Sequence, residues 1–220
     1  MPQWIIQPAA SDADPTRIAT HAGVQRFPHR LLTLFQQKQF LSDRECSDLI
    51  ARIDAGRRPS TLADHNGDTQ FRTSETCHLD GAAPVVAAID ARICAYLGID
   101  SRHGEPIQGQ YYSPGQEFKP HTDYFDPTGV DFLRFCTVSG NRTWTAMIYL
   151  NEPEAGGATR FTSVSKTIQP QLGKMLLWDN RLPDGTLNPH SIHHGMKVRS
   201  GVKYIITKWF RELPWGHNPI

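Results

Sequence analysis

Three groups of side chains in this sequence could act together on a small molecule. His121-Thr122-Asp123 sets an imidazole and a carboxylate two residues apart, and on an extended strand that spacing puts both on one face. A late cluster of His190, His193 and His194 offers a second imidazole. Adjacent strand residues face opposite ways, so His193 and His194 cannot both look into one cavity. One member of the cluster would complete a two-histidine, one-carboxylate triad. Such a triad leaves adjacent positions open on iron, which suits an oxygenase that binds a co-substrate and oxygen together; a structural zinc site would close its shell. In a chain with ten histidines a lone His-x-Asp pair is close to a chance occurrence. The third group is Lys203, in a run where Lys203, Ile205 and Thr207 alternate with Tyr204, Ile206 and Lys208. A lysine there either snorkels to the surface or, pointing inward, needs an anion, because a buried unpaired ammonium is costly.

These residues fall where the hydrophobic period becomes strand-like. From about residue 106 onward, IQGQYY, TWTAMIYL, ATRFTSV, KMLLWDN, SIHHGMKV and VKYIITKWF are short and rich in β-branched and aromatic residues. Turn formers such as SPGQ, EAGGA, LPDGTLNP and RSG separate them. Many short strands with no helix between them predict a sandwich or barrel. Upstream, Ser42 and Glu45 fit a capping box, and Cys46, Leu49, Ile50 and Ile53 keep helical spacing until Gly56. A second helix is expected after Pro84, with Val85, Val86, Ile89, Ile93 and Leu97 on one face and Gly98 as its stop. Residues 1–25 read as a tail or loosely attached strand. The expected plan is a mainly β, α+β chain with one domain over 26–220: helical support over 26–105 and a β core over 106–212. The 124–140 loop is a candidate lid or substrate loop.

Composition narrows the classes. The 220 residues are 39% hydrophobic and 20% charged with a formal net charge of +1, which gives none of the basic footprint of a dedicated nucleic-acid binder. No stretch is apolar for long enough to span a membrane, and the N-terminal apolar run is too short for a secretory signal. Cys46, Cys77, Cys94 and Cys136 form no CxxC pair. They read as buried thiols in a reducing compartment, so a cytoplasmic location is expected.

The second half also resembles a known family. YYSPGQEFKPHTDYFD, NRTWTAMIYLNEPEAGGATRF, LGKMLLWDN and NPHSIHHGMKVRSGVKYIITKW look, in that order, like motifs of the prolyl 4-hydroxylase-type 2-oxoglutarate/Fe(II) dioxygenases. The resemblance implies a double-stranded β-helix (jelly-roll) core. It implies His121, Asp123 and His193 as iron ligands and Lys203 as the partner of the far carboxylate of 2-oxoglutarate. Tyr112, Thr145 and Tyr149 would line the co-substrate pocket, and Arg142, Trp209 and Phe118 would stand near the mouth where substrate is gripped. The implied cofactors are Fe(II), 2-oxoglutarate and O2, with ascorbate as a further candidate.

The implied reaction is hydroxylation of an unactivated C–H, first of all on a peptidyl proline, with release of succinate and CO2. The retained Asp123 favours hydroxylation over halogenation. Three alternatives are the same chemistry on a free amino acid or other small molecule, a metal-dependent hydrolase on the same triad, and a non-catalytic β-barrel module that has kept the metal residues. The sequence departs from the family pattern at Phe118, where a tyrosine is usual, at Tyr204 in place of tryptophan, and at Asn188 in place of aspartate. The first puts the peptidyl-proline substrate in question; none touches the metal or lysine positions.

Overall fold

The structure is a computed structural model and describes residues 12–60 and 71–216. Its helices are α1 (Pro15–Ile18), α2 (Asp43–Gly56), α3 (Pro84–Leu97) and α4 (Phe132–Cys136). Strands β1 (Val24–Arg26), β2 (Leu34–Gln37), β3 (Arg58–Pro59) and β4 (Glu75–His78) lie in the front half of the chain. They are followed by β5 (Gln108–Tyr112), β6 (Phe118–His121), β7 (Arg142–Tyr149), β8 (Ala155–Gly156) and β9 (Thr159–Phe161). The last are β10 (Lys166–Ile168), β11 (Met175–Asp179), β12 (His193–Gly195), β13 (Val198–Ser200) and β14 (Lys203–Arg211).

The two long helices begin and end on local chemistry. The Ser42 hydroxyl accepts from the Glu45 amide at 3.3 Å, and Glu45 Oε2 accepts from the Ser42 amide at 2.8 Å. Two otherwise orphaned N–H groups are thereby satisfied at the start of α2. Pro84 opens α3, and Gly98 closes it at φ +75°, a left-handed conformation that costs glycine nothing. Cys46, Leu49 and Ile53 of α2 and Val86, Ile89, Ile93, Cys94 and Leu97 of α3 are buried; Ile50 and Val85 are only half-buried.

Both helices pack on one face of an eight-stranded antiparallel sheet of order β1-β2-β11-β7-β14-β5-β4-β3. Alternation assigns the faces. Trp144, Ala146 and Ile148 of β7, Met175 and Leu177 of β11, and Tyr204, Ile206 and Phe210 of β14 join the helix-side core. Met147, Tyr149, Leu176, Trp178 and Ile205 join a second core on the opposite face. A four-stranded antiparallel sheet, β10-β9-β12-β6, closes over that face, and Phe161 and Ile168 come from it. β14 lies between β7 and β5 and is buried along its whole length. At Gly109 in β5 any Cβ would collide with Cγ1 of Ile53, so glycine is what lets α2 seat against the sheet.

Three expectations need correction. The front half is not a purely helical support, because it supplies β1–β4, half of the large sheet. The strands of the back half are not free of helix, because α4 lies between β6 and β7. Residues 12–25 are not a loose tail. Ile18 is fully buried in the helix-side core, Asp12 Oδ1 accepts from Trp144 Nε1 at 3.1 Å, and His21 stacks on Tyr96 at 3.9 Å. Residues 1–11 lie outside the described residues.

Candidate active site

Strand pairing, more than sequence proximity, builds the site. β12 runs antiparallel to β6 in a register that places His193 directly opposite His121, with Phe161 of β9 on its other side. Asp123 follows β6 by two residues and turns inward, 6% exposed. Ligand-capable atoms of His121, Asp123 and His193 all lie within 4.8 Å of one another. Of the three late histidines only His193 joins the pair. His194 faces away and meets Glu117 at 2.8 Å, and His190 meets Ser163 at 2.6 Å.

The surroundings prepare the three side chains as ligands. His121 Nδ1 lies 2.7 Å from the Lys119 carbonyl and His193 Nδ1 lies 3.1 Å from the Ser191 carbonyl. A carbonyl only accepts, so each Nδ1 carries the proton and each Nε2 keeps its lone pair for an ion. Burial, with His193 beside it, holds the His121 imidazole well below its ordinary pKa and therefore neutral. Thr145 Oγ1 donates to Asp123 Oδ2 at 2.7 Å and accepts from Asn180 Nδ2 at 3.0 Å. That leaves Asp123 Oδ1, 4.0 Å from His121 Nε2, for the metal. Two imidazoles and a carboxylate on one side of a cavity fit a divalent iron with open positions.

Lys203 stands in the same cavity, across the sheet on β14. It is 1% exposed, and its ammonium lies over the rings of Tyr112 and Tyr149 at 5.0 and 5.5 Å. Among the described residues it has no carboxylate and no hydrogen-bond acceptor. Burial pushes its pKa down to about 7, the signature of a cation that has lost water and gained no anion. A dicarboxylic co-substrate reaching from the triad would supply that anion.

Other expected residues lie near the cavity but bond differently. Thr145 is fully buried and serves the Asp123 carboxylate instead of lining the pocket. Tyr112 lines the cavity, with its hydroxyl donated to Gln110 at 2.7 Å, and the Tyr149 hydroxyl is donated to Thr159 at 2.6 Å. Both therefore offer ring faces to the lysine. Arg142 is no free surface charge: Nε and Nη2 donate to Glu105 at 2.7 and 2.9 Å, Nη1 donates to the Asp123 carbonyl at 3.3 Å, and its plane covers Trp209 at 3.9 Å. Trp209 lines the cavity, with Nε1 buried and unbonded among the described residues. Phe118 stacks on His121 with ring centroids 3.4 Å apart.

Sequence reasoning did not single out Asn180, Glu105, Arg211 or Gln110. Arg211 donates to Glu105 at 2.6 Å and to the Gly140 carbonyl at 2.7 Å, which fastens the end of the 124–140 loop to β14. No local pattern marks Asn180, Glu105 or Arg211, because their partners are separated by tens of positions along the chain.

Comparison with known proteins adds to this geometry. Residues 107–211 match the family model of the 2OG-Fe(II) oxygenase superfamily. The chain is 33% identical over 200 residues to probable prolyl 4-hydroxylase 3 of Arabidopsis thaliana, covering 80% of this chain and 68% of that protein. It is 32% identical over 193 residues to prolyl 4-hydroxylase 1 of the same plant, covering 79% and 66%. The chain thus spans about two thirds of the length of these relatives. The crystal structure of a viral collagen prolyl hydroxylase from Paramecium bursaria Chlorella virus-1, in a 2OG complex, superposes with a TM-score of 0.64 at 28% identity, over 81% of this chain and 95% of that one. A Pseudomonas putida prolyl-4-hydroxylase, 22% identical with a TM-score of 0.55 over 90% of this chain and 96% of its own, shares the fold. With its motifs in the family's order, its jelly-roll core and its converging triad, this chain belongs to the prolyl 4-hydroxylase-type 2-oxoglutarate/Fe(II) oxygenases.

Proposed function

We propose that this protein is an Fe(II)/2-oxoglutarate-dependent dioxygenase that hydroxylates a peptidyl proline. His121, Asp123 and His193 hold the iron, and Lys203 binds the far carboxylate of 2-oxoglutarate. The observation that carries the reading is the pairing, in one cavity, of a ligand-competent triad with a buried ammonium that no described residue neutralises. A hydrolase on the same triad would have no use for that cation.

The bound iron, co-substrate and O2 supply the oxidising chemistry, with 2-oxoglutarate converted to succinate and CO2 as substrate is hydroxylated. The protein's work is ligation, orientation and exclusion of water. The Lys119 and Ser191 carbonyls fix which imidazole nitrogen faces the ion. Thr145, held by Asn180, fixes the carboxylate rotamer. Trp178, 1% exposed, packs against His193 with ring centroids 4.9 Å apart, and together with Phe118 it keeps the ligand side apolar. Arg142 holds the Trp209 ring at the cavity wall and ties the Asp123 backbone to Glu105. The four thiols are free and buried, which supports a reducing compartment.

The test is anaerobic addition of Fe(II) and 2-oxoglutarate to the metal-free protein. A visible charge-transfer band is expected, and it should be missing in Asp123→Ala. Admission of oxygen with proline peptides should then yield succinate in step with hydroxyproline. Succinate formed only with free amino acids would move the substrate to a small molecule. A protein that turns substrate over without 2-oxoglutarate would refute the reading.

A further inference from the structure

Among the described residues, the arginines around the triad divide into two with a carboxylate partner and one without. Arg142 and Arg211 share the Glu105 carboxylate, and Arg211 also reaches the Phe135 and Gly140 carbonyls at 3.1 and 2.7 Å. Arg72 meets only neutral acceptors among the described residues: Nε donates to Ser74 Oγ and Nη2 donates to Gln108 Oε1, each at 3.0 Å. A guanidinium has five N–H donors, so Nη1 and one hydrogen of Nη2 have no described acceptor. The side chain is half-buried, and burial lowers its pKa from the ordinary arginine value, only partly offset by Tyr112 and Asp123.

Its position links that guanidinium to the reacting centre. The guanidinium lies over the Phe118 ring at 4.9 Å, and Phe118 stacks on His121 at 3.4 Å. Arg72 also pairs across the backbone with Phe118 through an isolated bridge. Because Phe118 has no hydroxyl, the ring between Arg72 and His121 offers a substrate no hydrogen bond, and the guanidinium is the charged group on this face. The formal charges point the same way. One carboxylate, Glu105, answers two arginines, and Arg72 adds a further positive charge; Asp123 is committed to the metal. The co-substrate's far carboxylate belongs to Lys203 and its near end to the iron, so neither the described residues nor the co-substrate give Arg72 an anion, and a carboxylate on the substrate would.

We propose that Arg72 is a specificity residue that selects acidic peptides, binding a carboxylate carried close to the hydroxylated residue. This rests on the peptidyl-hydroxylation reading and narrows its substrate class.

The probes are acetylated, amidated five-residue peptides with a central proline and either Asp or Asn at each of the four other positions. Their binding to protein loaded with Zn(II) and 2-oxoglutarate, which cannot turn over, is measured by titration calorimetry at low and high salt. At one position or more, Asp should bind about tenfold more tightly than Asn, with the gap narrowing in salt. Arg72→Gln should erase the gap while 2-oxoglutarate affinity holds, and Arg72→Lys should retain it. Equal binding of Asp and Asn at every position in the unaltered protein overturns the inference without any variant, as does a gap that survives in Arg72→Gln. Turnover with Fe(II) separates the two readings: succinate without an Asp preference overturns the acidic class alone. No binding and no succinate with any proline peptide overturns peptidyl-proline hydroxylation and this inference together.

Discussion

Thr145 illustrates how much a side chain's role depends on which neighbour takes its hydroxyl. Motif position assigns it to the co-substrate pocket, yet its hydrogen goes to Asp123 Oδ2 at 2.7 Å. Groups that orient a metal ligand typically govern metal affinity 10- to 100-fold. Thr145→Val, which keeps the shape and removes the hydroxyl, should therefore weaken Fe(II) or Zn(II) binding by roughly that factor; competition with a metallochromic chelator would measure it. Lys203 was legible only through the family resemblance, because spacing alone left it between a snorkelling and an inward lysine, and buried Lys208 on the same strand finds Asp90 where Lys203 finds no described carboxylate. Removing one partner of a buried ion pair costs roughly 3–5 kcal/mol, so Lys203→Ala should lose two or more powers of ten in 2-oxoglutarate affinity. The pH dependence follows from its pKa near 7. Below pH 7 the ammonium is already charged and affinity should be flat. Above it the empty site holds a neutral amine that must take up a proton on binding, so the dissociation constant should rise about tenfold per pH unit. Calorimetry in buffers of different ionisation heat would detect that proton; a flat profile from pH 7 to 9 would remove the assignment. Arg72 had no such signature, because its importance comes from what its neighbours leave unpaired.

Elements were legible where one period or one cap decides them. Ser42 with Glu45, Pro84 and Gly98 fix both long helices within a residue or two, and the apolar runs of β5, β7, β11 and β14 give the large sheet its centre. Strands whose pairing decides them were not. FKPH in β6 has no alternation to read, and the two- and three-residue strands β3, β8 and β13 exist through their partners. The register of β6 on β12 is the main instance: it opposes His121 to His193, and pairing across the chain cannot be read from spacing. A packing limit belongs to this scale as well. Gly109 admits Ile53 where any side chain would overlap it. Gly109→Val should push α2 off β5 and cost about 1–3 kcal/mol by urea unfolding. The small sheet lies on the other face, so metal affinity of the folded fraction should be unchanged; a matching loss of metal binding would mean the helix layer also sets the site.

At the scale of the whole molecule, the site is a seam between two sheets that the bare protein must hold open at a cost. Two histidines and Asp123 come from β6, β12 and the turn beyond β6, whereas Lys203 comes from β14 of the large sheet. Metal therefore closes one side of the seam, and the co-substrate should bridge both sheets. Each ligand that binds only the folded state adds stability, about 2.7 kcal/mol at a hundred times its dissociation constant. For a chain of this size each kcal/mol is worth roughly 2–4 °C in Tm. Zn(II) at that excess should thus raise Tm by roughly 5–10 °C, and 2-oxoglutarate added afterwards should raise it again by a similar amount. The pattern across variants is the discriminating part. Asp123→Ala should lose both increments, because the co-substrate needs the ion, whereas Lys203→Ala should keep the first and lose the second. A hydrolase built on the same triad would show the metal increment and no response to 2-oxoglutarate in any variant, and a retired binding module with a decayed site would show neither.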